Sequence, residues 1–274
     1  MRLSGFQLPV DHLSATSLSV AITCPEQFRL RYLKHEPERL NIQKLVGSAF
    51  HGAIADNWRW KLHSGDDLPE QVALERLMGA WDDTIEREGE PEWKEPPQQL
   101  FSTSSLMLQT YLQDYAPAVT PLSAEQRVEE QVPGIPVPVV GVVDCETRSR
   151  ILETKTTPQK VTTPKPRWRL QARLYQLMIR KPVSHQIVTR QKTPKIYTEA
   201  TEPGLLTPVA DPDQTVLILQ RAVAVINDYY ARWGADQPWP PNGIFHDWLC
   251  SYCPYPRICV AWEGTRGPKG DWDD

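Results

Sequence analysis

Three of the five cysteines stand near one end of the chain, as Cys250-x2-Cys253-x5-Cys259 in the run CSYCPYPRIC, and Cys24 stands near the other end in TCPEQF. Close Cys-x2-Cys spacing suits thiolates that converge on one metal centre. Two disulfides plus a spare thiol would be a poor account in a cytosolic chain. A closed four-thiolate site needs a fourth ligand, and Cys24 and Cys145 are the candidates. Cys24 and Cys253 are each followed by proline, which is frequent at iron–sulfur ligands. Cys145 lies in an apolar run beside Asp144 and reads as a small buried hydrophobe. A site that joins Cys24 to the other three closes a loop of more than 220 residues. It therefore staples the two ends of the chain together, whatever lies between. Spacing alone leaves zinc and iron–sulfur both open.

The rest of the composition sets bounds. A chain of 274 residues makes one large domain or two small ones and can bury a core without disulfides. No run of 18 apolar residues exists, so nothing reads as a membrane span. Asp11 and His12 interrupt any secretory leader, so a cytoplasmic protein is expected. The 26 prolines are scattered and mark many firm loop boundaries. The net charge of −4 argues weakly against a nucleic-acid partner, yet Lys155 to Lys195 holds 11 Lys/Arg and no Asp or Glu. A basic strip on an acidic body is either the footprint of a polyanion or a solvated face.

Periodicity predicts a mostly helical first 118 residues. Ser14 caps a short helix from Ala15 to Ile22, and a second runs from Glu26 to Lys34. Residues 46–62 form a longer helix with Val46, Phe50, Ile54 and Trp58 on one stripe. Two more helices cover 69–88 and 98–115. Strands then take over, with Gln126–Val132 and Pro136–Cys145 as a hairpin and Ile151–Thr156 as a third strand. A helix over Arg167–Arg180 follows, then short strands at His185–Arg190 and Lys195–Ala200. A long amphipathic helix opens at Asp211-Pro212, shows Val216, Leu219, Val223, Ile226 and Tyr230 on one face, and closes at Gly234.

The chemistry concentrates in Asp144-x8-Glu153-Thr154-Lys155. Glu153 and Lys155 are two apart in a strand and share a face. Two carboxylates brought together by strand pairing repel unless a divalent cation sits between them. A lysine beside them can hold a water at that cation, which is equipment for metal-assisted phosphodiester hydrolysis. Alone, such a pattern also fits an ordinary exposed hairpin with a Glu–Lys pair. Gln171 and Tyr175 share one face of the next helix, which also carries Arg167, Arg169 and Arg173. An amide, a phenol and guanidinium groups suit a DNA strand. His51, in GSAFHGAIA, has the small neighbours Gly47, Gly52 and Ala55, which let its helix come close to a sheet or metal. Beside such a site it is a credible third ligand.

In this order, G-x3-H at His51, Gly141-x2-Asp144, Glu153-x-Lys155 and Gln171-x3-Tyr175 resemble the RecB-type nucleases of the PD-(D/E)xK superfamily. The flanking cysteines resemble the iron–sulfur subset, which includes AddB-type subunits and CRISPR-associated exonucleases. The resemblance covers Ser14 to Cys259. It implies an α/β fold, a restriction-endonuclease-like core with a mixed central sheet flanked by helices. Residues 1–118 would be a helical part with Cys24 and the His51 helix, 119–235 the nuclease core, and 236–274 an iron–sulfur knuckle and polar tail, all in one integrated domain. His51, Asp144, Glu153 and the Thr154 carbonyl would bind Mg²⁺ or Mn²⁺, and Lys155 would position the attacking water. Gln171 and Tyr175 would line the DNA path. Cys24, Cys250, Cys253 and Cys259 would hold a structural 4Fe-4S cluster. Glu153 stands where many RecB-type members have Asp, an exchange the superfamily pattern accepts. No Walker loop is present, which implies a freestanding nuclease. The implied activity is exonucleolytic on single-stranded DNA ends, with 5′ to 3′ polarity favoured. The alternatives are an endonuclease or prespacer-trimming subunit in a DNA-processing complex, a homo-oligomer, or a non-catalytic DNA-binding protein on a nuclease scaffold. A CRISPR locus, a phage and a repair operon all remain open as its context.

Overall fold

A computed structural model describes residues 8–241, 250, 253–255 and 258–259. The polar tail GTRGPKGDWDD lies outside the described residues. In chain order the elements are α1 (Ala15–Thr23), α2 (Pro25–Phe28), a π-helical turn at Arg29–Leu33, α3 (Ile42–Ser64), α4 (Glu70–Glu88) and α5 (Pro97–Asp114). Then come β1 (Pro121–Glu130), β2 (Val139–Thr147), β3 (Ile151–Thr157), α6 (Pro166–Ile179), β4 (Val183–Thr189), β5 (Ile196–Tyr197), β6 (Leu206–Thr207) and α7 (Pro212–Trp233). The contacts of the chain group into two units. One comprises Met1–Glu38, Glu130–Val139 and Asp213–Asp274, the other Arg39–Glu129 and Val140–Pro212.

The second unit is built on a mixed sheet in the order β1-β2-β3-β4-β5, with β6 also paired to β4. β2 and β3 run antiparallel, β3 and β4 parallel, and β4 and β5 antiparallel. The parallel β3–β4 pair needs a crossover, and α6 supplies it. Helix α3 starts at Asn41, whose side chain accepts from the Lys44 N–H (2.9 Å), and ends at Gly65 with φ 85°, a left-handed stop that favours glycine. Its stripe of Val46, Phe50, Ile54 and Trp58 is buried, with no member more than 1% exposed. It packs with α4 and α5 residues and with Cys145, Leu152 and Val188 of the sheet. Another core holds α6 through Ala172 and Tyr175 against Val143, Ile151 and Val183. The sheet is thus flanked by helices, as the α/β expectation required.

The first unit gathers both ends of the chain. Ser14 and Ser17 form a reciprocal cap on α1, and Leu13 bridges to Val139. Phe28, Tyr229 and Trp239 form an aromatic cluster, with centroids 6.1 Å apart for Phe28–Trp239 and 5.6 Å for Tyr229–Trp239. The Glu26 carboxylate accepts from Arg29 Nε (2.7 Å), Arg29 Nη2 (2.7 Å) and the Trp239 N–H (2.7 Å).

Several local expectations need correction. Residues 29–33 form a π-helical turn, not a continuation of an α-helix. The first strand begins at Pro121, five residues before Gln126, because its early residues lack a clean apolar alternation. The second begins only at Val139, after Pro136 and Pro138, which cannot donate to a ladder. The strand expected over Lys195–Ala200 shrinks to Ile196–Tyr197. On α7 the buried stripe includes Leu219, Val223 and Ile226 but not Tyr230, which is exposed.

Candidate active site

The antiparallel register pairs Cys145 with Leu152 and Glu146 with Ile151. Beyond Cys145 a side chain takes over from the ladder, because the Thr154 N–H donates to Asp144 Oδ2 at 2.8 Å. The carboxylate thereby holds a backbone donor that regular pairing would have used. Asp144, Glu153 and Thr154 are all buried.

Helix α3 brings His51 to this strand pair. Its Nδ1 lies 3.4 Å from Asp144 Oδ2. Of the small residues around it, Gly52 serves another purpose, since a Cβ there would meet the Ala80 Cβ of α4 at 3.0 Å. A third ligand-type group arrives from β1. One atom each from His51, Glu125 and Asp144 lie within 4.8 Å of one another, a spacing that could hold a metal ion. Glu125 adopts φ 49°, outside the extended region of its strand. Sequence reasoning missed it because the strand was expected to start one residue later, and a lone Glu in PLSAEQR carries no signal.

Glu153 sits beside this group but faces Lys155. Its Oε1 accepts from Lys155 Nζ at 2.6 Å, and its Oε2 is buried without a hydrogen-bond partner. Lys155 also donates to Gln171 Oε1 (3.0 Å), Gln171 donates to the Tyr175 hydroxyl (2.9 Å), and that hydroxyl donates to the Val142 carbonyl. Gly141 makes this chain of bonds possible, because a Cβ there would lie 2.6 Å from the Tyr175 ring. That explains the glycine of Gly141-x2-Asp144.

The electrostatics follow from burial. Desolvation raises the Asp144 carboxyl to about 7, against the pull of Lys155 and the Thr154 N–H. Glu153 is likewise raised to about 7, by burial first and then by the Asp144 charge. Burial and then the Lys155 charge lower His51 to about 4, so its ring is neutral at pH 7 and able to ligate. Neutral imidazole, carboxylates and an orphaned carboxylate oxygen form a donor set that fits a divalent cation.

The helix beyond Lys155 presents its polar residues unequally. Tyr175 is only 3% exposed, and its hydroxyl donates to the Val142 carbonyl. At roughly 100° per residue, Arg169 and Arg173 point away from the Gln171 face, and Arg169 bonds the Pro164 carbonyl (2.9 Å). Arg167 alone of the three arginines shares the Gln171 side, and it is exposed.

The cysteines of the first unit come together as well. Cys24 closes α1 and opens α2, with Pro25 at the first helical position. The Cys253 N–H donates to the Cys250 carbonyl (3.1 Å), and the Cys259 N–H to the Tyr255 carbonyl (3.1 Å). Burial pushes the Cys253 thiol up to about 12, with further contributions from Cys24, Cys259 and Cys250. No disulfide joins the described cysteines. Cys145 is fully buried in the sheet, as expected.

Comparison with known proteins agrees with this geometry. A crystal structure named "Putative exonuclease" from Eubacterium rectale has a similar fold, with a TM-score of 0.56 at 12% identity over 95% of this chain and 90% of that one. A second solved structure, SSO0001, shows 15% identity over 90% of this chain and 95% of that one, but its TM-score of 0.36 is too low to inform the fold. No curated protein matches. Among the described residues no helix is long and apolar enough to cross a membrane. A family model described as the PD-(D/E)XK nuclease superfamily matches residues 12–260. With that match across most of its length, and with Asp144, Glu153 and Lys155 on the paired strands β2 and β3, the chain belongs to the PD-(D/E)XK nuclease superfamily.

Proposed function

We propose that this chain is a divalent-metal-dependent deoxyribonuclease, an exonuclease that degrades single-stranded DNA ends with 5′ to 3′ polarity in the cytoplasm. The observation that carries the reading is the His51–Glu125–Asp144 group beside the orphaned Glu153 oxygen and Lys155. His51, Asp144, Glu153 and the Thr154 carbonyl would hold Mg²⁺ or Mn²⁺, with Glu125 as a further oxygen donor. Bound there, the cation supplies Lewis-acid charge for attack of water on a phosphodiester. Lys155 orients that water and is itself held by Glu153 and Gln171. Tyr175 secures Gln171, so this pair acts on the lysine and not directly on the DNA. Arg167 and the other exposed bases of the Lys155–Lys195 strip draw the strand in by its phosphates.

We further propose that Cys24, Cys250, Cys253 and Cys259 hold a structural 4Fe-4S cluster. The donor set is all thiol. A buried thiol such as Cys253 stays protonated unless a metal takes up the charge. Proline follows both Cys24 and Cys253, as is frequent at iron–sulfur ligands.

The test is degradation of 5′- and 3′-labelled single- and double-stranded DNA by anaerobically purified protein, with Mn²⁺ or EDTA, alongside Glu153→Ala. Metal-dependent loss of the 5′ label that vanishes in Glu153→Ala is the expected result. DNA binding without cleavage would overturn the nuclease reading. Zinc in place of iron and sulfide in the purified protein would overturn the cluster.

A further inference from the structure

Strand β4 breaks the rule for its position. A central strand paired in parallel and covered on both faces normally reads as an apolar run. β4 is buried along its whole length, yet its middle is Ser184, His185 and Gln186, each 0% exposed. Burying such groups is costly unless each finds a partner. Ser184 donates to the Glu199 carboxylate, and His185 Nδ1 lies 3.2 Å from the Leu205 carbonyl. Although His185 itself is the cross-strand neighbour of Glu153, the acceptors, Glu199 and Leu205, are not residues of the candidate active site.

Gln186 leads toward it. It is the cross-strand neighbour of Thr154. Its Oε1 accepts from Thr154 Oγ1 (3.1 Å) and from the Tyr111 hydroxyl (3.3 Å), and its Nε2 donates to the Tyr115 hydroxyl. Tyr111 is fully buried, and the rings of Tyr111 and Tyr115 pack at 5.4 Å. The amide is therefore clamped from α5 on one side and grips Thr154 on the other. Thr154 is the residue whose N–H fixes Asp144. A leucine at 186 could fill the same space without polar partners. The amide's hydrogen bonds instead hold in place the residue on which the Asp144 carboxylate rests.

We propose that Gln186, held by Tyr111 and Tyr115, is a positioning residue that locks Thr154, whose N–H holds the Asp144 carboxylate, and thereby sets the affinity of the site for its divalent cation. This rests on the reading of that site as a cation site. Its effect is on cation binding and not on the bond-breaking step, because Gln186 bonds Thr154, Tyr111 and Tyr115 and touches no reacting group.

The experiment titrates Mn²⁺ alone into the full-length protein by calorimetry, without DNA. Asp144→Ala identifies which binding event belongs to this site. Gln186→Met and Thr154→Val should each weaken that event by about tenfold or more, the range for lost support behind metal ligands. Thr154→Ser keeps the hydroxyl and should bind within about threefold of wild type, since the effect tracks that one hydrogen bond. Cleavage at saturating Mn²⁺ should persist in Gln186→Met, so the change appears in the cation requirement and not in kcat. Thr154→Val is nearly isosteric and keeps the test open if Gln186→Met folds poorly. Wild-type Mn²⁺ affinity in Thr154→Val, or a loss in Thr154→Ser as large as in the valine variant, would overturn the inference. Wild-type Mn²⁺ binding that survives Asp144→Ala would instead overturn the cation site itself.

Discussion

Glu26 and Glu153 are each about 1% exposed, and each faces a basic side chain a few residues along the chain. In the first unit, Glu26 has both oxygens on Arg29 and a third bond from the Trp239 N–H. In the second, Glu153 has one oxygen on Lys155, the other without a partner, and Asp144 raising its carboxyl from close by. The first carboxylate is saturated and ties chain segments together. The second is left incomplete at the bottom of a polar edge. A buried charge that lacks partners is destabilising, and proteins keep such groups mainly where function needs them. What a buried carboxylate leaves unsatisfied therefore distinguishes a site from a staple better than its burial or its ion pair does.

The contrast predicts opposite phenotypes. Lys155→Ala should lower cleavage by about 10³-fold or more, within the range for loss of a proton-handling or water-orienting group, while the melting temperature changes little, because the Glu153 carboxyl, already raised to about 7, can take up a proton and stay buried as a neutral acid. Glu26→Ala should leave cleavage per folded molecule intact but destabilise by about 3–5 kcal/mol, because it strands Arg29 as a buried unpaired charge. Urea unfolding and a cleavage assay on both variants check this. Similar stability losses in the two would erase the distinction.

A smaller effect sharpens it through pH. In the folded, metal-free protein the Asp144 carboxyl is raised to about 7, far above its ordinary value of 3.8. The folded state thus keeps a proton that the unfolded chain releases. The associated stability is fully present below about pH 4 and is lost as pH rises toward 7. His51 and His185 are both lowered to about 4 and act in the opposite sense in the lower part of this window. The informative quantity is therefore the difference between Asp144→Asn and wild type. That variant should become relatively more stable from pH 4 to 7, by up to about 4 kcal/mol, and level off above. A difference that is flat with pH would mean that Asp144 titrates as an ordinary carboxyl.

The smallest effect concerns the basic strip. Arg167→Ala should weaken single-stranded DNA binding by about threefold, the scale of one phosphate contact. Arg173→Ala should change it by less than about twofold, because at roughly 100° per residue it faces away from Gln171. Equal losses in filter binding at one salt concentration would return Arg173 to the DNA path.

Much of this architecture was legible along the chain. The Val46–Trp58 stripe, the Ser14 cap and Pro166 at the start of α6 act over one or two turns, and the structure shows each of them. The Asp144, Glu153 and Lys155 triad was legible for the same reason, since strand alternation puts Glu153 and Lys155 on one face. Gly141 appeared as part of a motif, but its cause, the Tyr175 ring packed against its backbone, did not. What remained hidden depends on neighbours distant in sequence. Glu125 reaches the site because β1 lies beside β2 and departs from extended geometry at that residue. Tyr175 proved a buried prop because α6 folds its ring onto the sheet.

The sequence by itself determined the helices, the strand pair that carries the acids and lysine, and the cysteines at both ends, because periodicity, caps and spacing are written within a few residues. Only the tertiary structure decided which carboxylates converge, which face of α6 looks into the site, and why a buried strand carries Gln186. Those outcomes depend on strand order and on where the β2–β3 ladder gives way to the Asp144 side chain, and they are fixed by packing between segments that no local pattern brings together.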